Sequence, residues 1–258
     1  MLKVDLQQKV ARVMFDRPDL HNAFNDEMIA LVSSTFAELG GNPDVRAIVL
    51  GGNGKSFCAG ADLNWMKRMA AYTREQNIED AKNASRMFSA IARCPKPVIA
   101  RVHGAALGGG AGVVAACDIS IAAAGTQFGF TEVRMGIVPG VISPFVIARI
   151  GSGRARELFL TGERFSAQVA LNIGLVHHVA DDGAAMDALI ETKIQHILQA
   201  SPAAIAAAKE LIFGVAARTL DTALDFTAAA IADARASEDG QAGMKAFLTR
   251  EKPPWVEQ

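Results

Sequence analysis

Cysteine is scarce in this chain, aromatic side chains are few, and neither sign of charge dominates. Three cysteines occur in 258 residues, Cys58, Cys94 and Cys117, with no CxxC spacing among them. That count excludes a disulfide scaffold and predicts reduced thiols in a cytoplasmic setting. Lys and Arg number 26 against 27 Asp and Glu, for a net charge of −1, so the electrostatic footprint of a nucleic-acid binder is missing. The uncharged run 104–117 is rich in Gly and stops at Asp118, short of a membrane span. No basic region leads an apolar core after Met1, and no signal peptide is expected. Aromatics make up 6% of the residues while half are hydrophobic, so Ala and Gly supply much of the apolar fraction and close backbone packing is expected. The length suits one large domain, or a domain with an appendage.

What is present is an alternation of short apolar runs and longer helical stretches. Leu2 to Leu6 and Val10 to Phe15 read as paired strands, followed by a turn at Arg17-Pro18-Asp19. Asn25-Asp26-Glu27 reads as a helix start, with Met28, Ile29, Leu31, Val32, Phe36 and Leu39 on one face and Gly40-Gly41 at the end. Ala47 to Leu50, Pro97 to Val102, Ile119 to Ala122 and Leu175 to Val179 have the continuous apolar character of strands buried on both faces. Beyond residue 195 the strand signals stop. Ser201-Pro202 caps an Ala-rich helix, a second covers 218–237 and a short one 241–249. The pattern predicts an α/β core over 1–195 and a helical region over 196–258.

Two stretches carry the chemistry. Phe57-Cys-Ala-Gly-Ala-Asp-Leu-Asn-Trp-Met66 and Gly104-Ala-Ala-Leu-Gly-Gly-Gly-Ala-Gly112 each place small residues where an apolar segment turns into a helix. Backbone N–H groups at such turns lack internal partners, meet a ligand unobstructed and sit at the positive end of the helix dipole. Nucleotide motifs fail on spacing. Val49 stands where a Walker loop before Gly54-Lys55-Ser56 needs Gly, and glycines 104, 108, 109, 110 and 112 fit no G-x-G-x-x-G register. There is no G-x-S-x-G elbow, and His103, His177 and His178 lack metal-ligand spacing.

Five segments resemble the enoyl-CoA hydratase/isomerase (crotonase) superfamily, in order and in spacing. They are Arg17-Pro-Asp-Leu-His-Asn-Ala-Phe24, Cys58-Ala-Gly-Ala-Asp-Leu63, His103-Gly-Ala-Ala-Leu-Gly-Gly-Gly110, Cys117-Asp118, and Phe128-Gly-Phe-Thr-Glu-Val133 with Gly136-Ile-Val-Pro-Gly140. Ala59-Gly-Ala-Asp-Leu-Asn-Trp-Met66, Glu132-Val-Arg-Met-Gly136 and Val141-Ile-Ser-Pro-Phe-Val146 are most similar to bacterial methylglutaconyl-CoA hydratases. The resemblance implies a ClpP-like spiral of ββα units over 1–195. The helical region 196–258 would then build a homotrimer or homohexamer. It also implies an acyl-CoA thioester substrate, with coenzyme A as part of the substrate and no other cofactor or metal.

By the same resemblance, the amides of Ala61 and Gly109 stabilise a thioester enolate and Glu132 is the acid–base group. The residues themselves agree. Gly109 lies where the Gly run becomes a helix, and Glu132 sits among Phe128, Phe130 and Val133, where burial raises a carboxyl pKa. The best-known hydratases of the family carry a second glutamate at the position of Gly112, although the methylglutaconyl-type resemblance also tolerates a Gly there. The absence of that glutamate makes a Δ3–Δ2 isomerase the alternative to hydration, and a non-catalytic acyl-CoA-binding oligomer a third reading. The backbone of Leu20, Ala59, Ala61, Asp62, Leu63 and Asn64 corresponds to CoA contacts, with phosphate cations sought in Lys67, Arg68 or a neighbour's Lys252. Trp65, Met66, Met69, Phe130 and Ile142 are candidate acyl-pocket residues. Arg134 is a candidate partner for a distal carboxylate. Asp118 is expected to pair with backbone or an Arg at a strand start.

Overall fold

The structure, a computed structural model, describes residues 1–256. It opens with a hairpin, β1 (Leu2–Gln7) and β2 (Val10–Phe15), closed by Gln8 and Lys9, both at positive φ as a two-residue hairpin turn requires. Helix α1 (Asp26–Gly41) follows, with the Asn25 side chain accepting from the Met28 amide as its cap. Its apolar face is buried as expected except for Leu31, which is exposed. Next come β3 (Ala47–Gly52), α2 (Leu63–Met69), α3 (Arg74–Ala92), β4 (Val98–Val102), β5 (Ala105–Leu107) and α4 (Gly109–Ala116). The middle of the chain continues with β6 (Ile119–Ala123), β7 (Gln127–Gly129) and α5 (Ser143–Thr161), which kinks at Gly151. Then follow β8 (Arg164–Ser166), α6 (Ala167–Asn172), β9 (His178–Ala180) and α7 (Gly183–Leu198).

Two sheets organise these elements. The larger runs β1-β2-β3-β4-β6-β9, antiparallel only at the hairpin, and the smaller runs β5-β7-β8. β4 and β6 of the large sheet are each followed by a strand of the small one, so the chain winds between the two layers. Alternate residues of the central strands serve different cores. Ile48 and Leu50 face the main core, whereas Val49, Ile99 and Ile121 pack under Met186, Ile190 and Ile194 of α7. That two-sided burial explains why these strands read as continuous apolar runs. The run Leu175–Val179 behaves differently. Only its end enters β9, while Leu175 and Val176 are buried in the loop that follows Gly174.

The chain ends in three helices, α8 (Pro202–Ala216), α9 (Leu220–Ala236) and α10 (Glu238–Thr249), with Ser201 capping α8. Lys209 of α8 is buried and donates to Asp118 Oδ2 at 2.7 Å. The Asp118 carboxylate also accepts from the Val98 amide at the start of β4, the backbone pairing expected of it, and its cation is a lysine from the C-terminal region where an arginine is the expected alternative. Arg149 instead donates to the carbonyls of Ala115, Cys117 and Asp118 at the C-terminal end of α4. No helix among the described residues is long and apolar enough to cross a membrane.

Candidate active site

A cavity of about 160 Å3 opens where the β3–α2 loop, the start of α4 and the segment 132–142 converge. Ala61, Gly109 and Glu132 all line it. The two small-residue turns are brought together by a parallel bridge between Cys58 and Ala106, made by Cys58 N–H to Ala105 O and Leu107 N–H to Cys58 O, each 3.0 Å. Ala61 and Gly109 stand at the same offset beyond this bridge, and both line the cavity.

The two amides are freed in different ways. Gly109 is the first residue of α4, so its N–H has no carbonyl within the helix to bond. Gly108 before it adopts φ 50° and ψ −117°, a conformation closed to most L-residues, while its own N–H bonds Gly129 O at 2.8 Å. Ala61 lies in a one-residue parallel bridge with Phe24. There Phe24 N–H donates to Gly60 O and Asp62 N–H to Phe24 O, both at 2.8 Å, so the Ala61 amide faces the other way. Asp62 then caps α2, accepting from the Asn64 and Trp65 amides.

Glu132 opens a short 3-10 turn, Glu132–Met135. Its Oε1 lies 3.2 Å from where a Cβ on Gly108 would stand, and its Oε2 is buried without a hydrogen-bond partner among the described residues. Burial pushes the carboxyl above the ordinary glutamate range, opposed by its own backbone amide. No other titratable side chain lines the cavity among the described residues. The site of the missing second carboxylate is physically filled. A Cβ on Gly112 would stand 2.3 Å from Ile142 Cγ2 and 3.1 Å from Phe88 Cε1.

Of the candidate acyl-pocket residues, Trp65, Met69 and Ile142 line the cavity. Met66 does not, and Phe130 is buried in an aromatic cluster with Phe159 and Phe165. Arg134 also lies elsewhere. Two residues past Glu132 it leaves the turn on another side, exposed, with its Cγ and Nε against Gly162. Leu20, Leu63 and Asn64 are surface residues outside the lining, and Ala59 is joined to the Leu20–His21 segment by its N–H to His21 O at 3.0 Å. The Asp62 side chain is engaged by the α2 cap and by Arg17. Phe24, Met87, Phe88 and Pro139 complete the walls. Met87 and Phe88 come from α3, which no motif singled out, whereas Phe24 and Pro139 fall within the Arg17–Phe24 and Gly136–Gly140 segments.

The architecture is that of the crotonase-fold proteins. It superposes on an enoyl-CoA hydratase from Shewanella pealeana with a TM-score of 0.95 and 39% identity, over 98% of this chain and 95% of the other. Pseudomonas aeruginosa AtuE gives a TM-score of 0.95 at 34% identity over 99% of both chains. A short-chain-enoyl-CoA hydratase from Clostridium acetobutylicum is 34% identical over 96% of this chain and 95% of its own length. Residues 5–258 match the enoyl-CoA hydratase/isomerase family, and the chain belongs to it. It is an enzyme of a family that acts on CoA thioesters and needs no cofactor beyond that substrate. No group of three or more His, Cys, Asp or Glu is placed to hold a metal among the described residues.

Proposed function

We propose that the protein adds water across the C2–C3 double bond of a 2-enoyl-CoA, with Glu132 as its acid–base group. The observation that carries the reading is the buried, unpartnered Glu132 Oε2 in a cavity shared with Ala61 and Gly109. The thioester oxygen accepts from both amides, which stabilise the negative charge it gains as the water oxygen bonds to C3. Glu132 takes the water's proton and returns it to C2, so water is added and the carboxylate is restored. The hydratase relatives support this direction of chemistry.

A second reading has its own observation. Ile142 fills the space beside Gly112 and leaves one carboxylate in the cavity, which suffices to move a proton from C2 of a 3-enoyl-CoA to C4. For the hydratase, the motifs around Trp65 and Glu132 support a branched substrate of methylglutaconyl type. No Lys or Arg lines the cavity among the described residues, so the second carboxylate of that ester has to be met at the mouth. Leu20, Ala59, Leu63 and Asn64 are assigned to the CoA moiety, and 196–258 to assembly as a trimer or hexamer. Three buried free thiols fit a cytoplasmic enzyme.

The test follows crotonyl-CoA, 3-methylglutaconyl-CoA and 3-hexenoyl-CoA side by side, with product masses. Gain of one water on either 2-enoyl ester supports the hydratase, and the preferred ester fixes the acyl class. Conversion of 3-hexenoyl-CoA without mass change, and inertness toward both 2-enoyl esters, replaces it with the isomerase. Inertness toward all three favours a binding protein.

A further inference from the structure

The side chain of Arg17 spans the two strands that present the Ala61 amide. Its Nη1 donates to Ala23 O at 2.5 Å and its Nη2 to Asp62 Oδ2 at 2.8 Å. Ala23 and Asp62 are the chain neighbours of Phe24 and Ala61, the two residues of the isolated bridge. One guanidinium therefore holds both sides of a pairing whose backbone hydrogen bonds are three, the two at Phe24 and the Ala59 N–H to His21 O. The ion pair is shielded, with the Arg17 and Asp62 side chains 14% and 7% exposed. Arg17 is itself fixed, since its N–H donates to Asn22 Oδ1 at 2.8 Å, while the fully buried Asn22 bonds the Asn53 and Ser56 carbonyls. Burial pushes the Asp62 carboxyl up, yet Arg17 and the two α2 amides hold it below the usual range.

We infer that Arg17 is a positioning residue, one that aims the Ala61 N–H at the thioester oxygen by clamping Ala23 and Asp62. Arg17 does not line the cavity and touches no reacting atom; it acts through the orientation of Ala61. A planar fork is needed, because a single ammonium cannot point along both directions with fixed geometry. The Ala61 loop leads into α2, in which only Trp65 is buried, whereas α4 is buried from Gly110 to its end, so a small rotation at Ala61 is enough to misplace the donor. This inference rests on the amide-pair reading given above.

The experiment separates the two. In a Glu132→Gln background, which binds without turnover, 2,4-hexadienoyl-CoA reports polarisation of its carbonyl as a shift of absorption to longer wavelength. Absence of any shift in that background overturns the amide-pair reading, and the inference with it. With the shift present, Arg17→Met is expected to lose most of it while CoA-ester affinity stays within about threefold. In the otherwise unaltered enzyme the same substitution is expected to lower kcat about 10- to 100-fold, the cost of a misplaced group, with KM little changed. Free guanidinium added to Arg17→Ala is expected to restore part of the rate, and Arg17→Lys to restore less. Asp62→Asn keeps a good helix cap and covers the case in which Arg17 variants misfold. An undiminished shift and kcat in folded Arg17→Met, or in folded Asp62→Asn if Arg17 variants do not fold, would overturn the inference.

Discussion

Gly109 and Ala61, the two proposed amide donors, line the same cavity, but they are held there by unlike means. At Gly109 the amide is exposed by the start of a helix whose residues from Gly110 onward are buried to its end. At Ala61 it is exposed by a single bridged residue ahead of a short helix in which only Trp65 is buried, and side chains supply the stiffness. Helix geometry leaves first-turn amides free without any side chain. A loop amide has to be aimed, and aiming it recruits Arg17, Asp62 and Asn22. Damage at the Gly109 end is therefore expected to appear as instability, and damage at the Ala61 end as lost rate.

The largest effect expected is common to both ends. Glu132→Gln leaves the two amides in place and removes the proton carrier, so turnover is expected to fall about 10²- to 10⁴-fold, while bound hexadienoyl-CoA keeps its spectral shift. A fall in both together would mean that Glu132 also shapes the amide pair.

Next in size is Gly110→Ala, whose added Cβ would stand 2.3 Å from the Cys58 carbonyl oxygen. The atom it meets is backbone that cannot swing aside, so overpacking is expected to cost at least about 1–3 kcal/mol, read from the urea midpoint. Asp62→Ala is its counterpart at the Ala61 end. Loss of the cap is expected to cost about 1 kcal/mol, the stranded Arg17 guanidinium adds to that, and the fall in kcat is expected to be out of proportion to the sum. Equal ratios of rate loss to stability loss in the two variants would erase the distinction between the ends.

Gly112→Ala probes the wall behind Gly109. Alone it is expected to cost about 1–3 kcal/mol, and part of that loss is expected to return when Ile142→Ala is added. Strict additivity of the pair would show that Ile142 is not what excludes a side chain at residue 112.

The smallest effect is a pH dependence. A carboxyl whose pKa is raised on folding makes the folded state less stable once it ionises, so stability declines as pH rises through the folded-state pKa. Burial raises the Glu132 pKa. Glu132→Gln is therefore expected to melt above the parent at pH 8, and the gap to close as pH falls below the ordinary glutamate range. A gap of the same size at both ends of that scan would remove burial as the cause.

Much of this could be read from the chain because the controlling signals are local. Asn25 and Ser201 announced their helices by cap chemistry, and the β3, β4 and β6 runs announced two-sided burial. The strands β5, β7 and β8 gave no such signal, since three residues cannot display a period. Ala61, Gly109 and Glu132 are marked by the family resemblance, with the surroundings of Gly109 and Glu132 in agreement, and the cavity does unite them. The contacts that tune them were invisible. Arg17 meets Asp62 across 45 positions and Ile142 meets Gly112 through the fold alone. Arg134 and Phe130 attracted attention by adjacency to Glu132, but a tight turn and an aromatic cluster send them elsewhere.

The tie between Lys209 and Asp118 joins α8 to a carboxylate at the far end of α4, across 91 positions. Peeling the last three helices away would leave the half-buried Asp118 carboxylate without its cation, and breaking one side of a buried pair costs up to about 3–5 kcal/mol. The tail therefore has no autonomy from the body: a single melting step is expected, and a trypsin nick in the tail is expected to be felt at α4. Whatever grips α8 to α10 from outside thereby holds a lever on the amide that α4 presents at its other end.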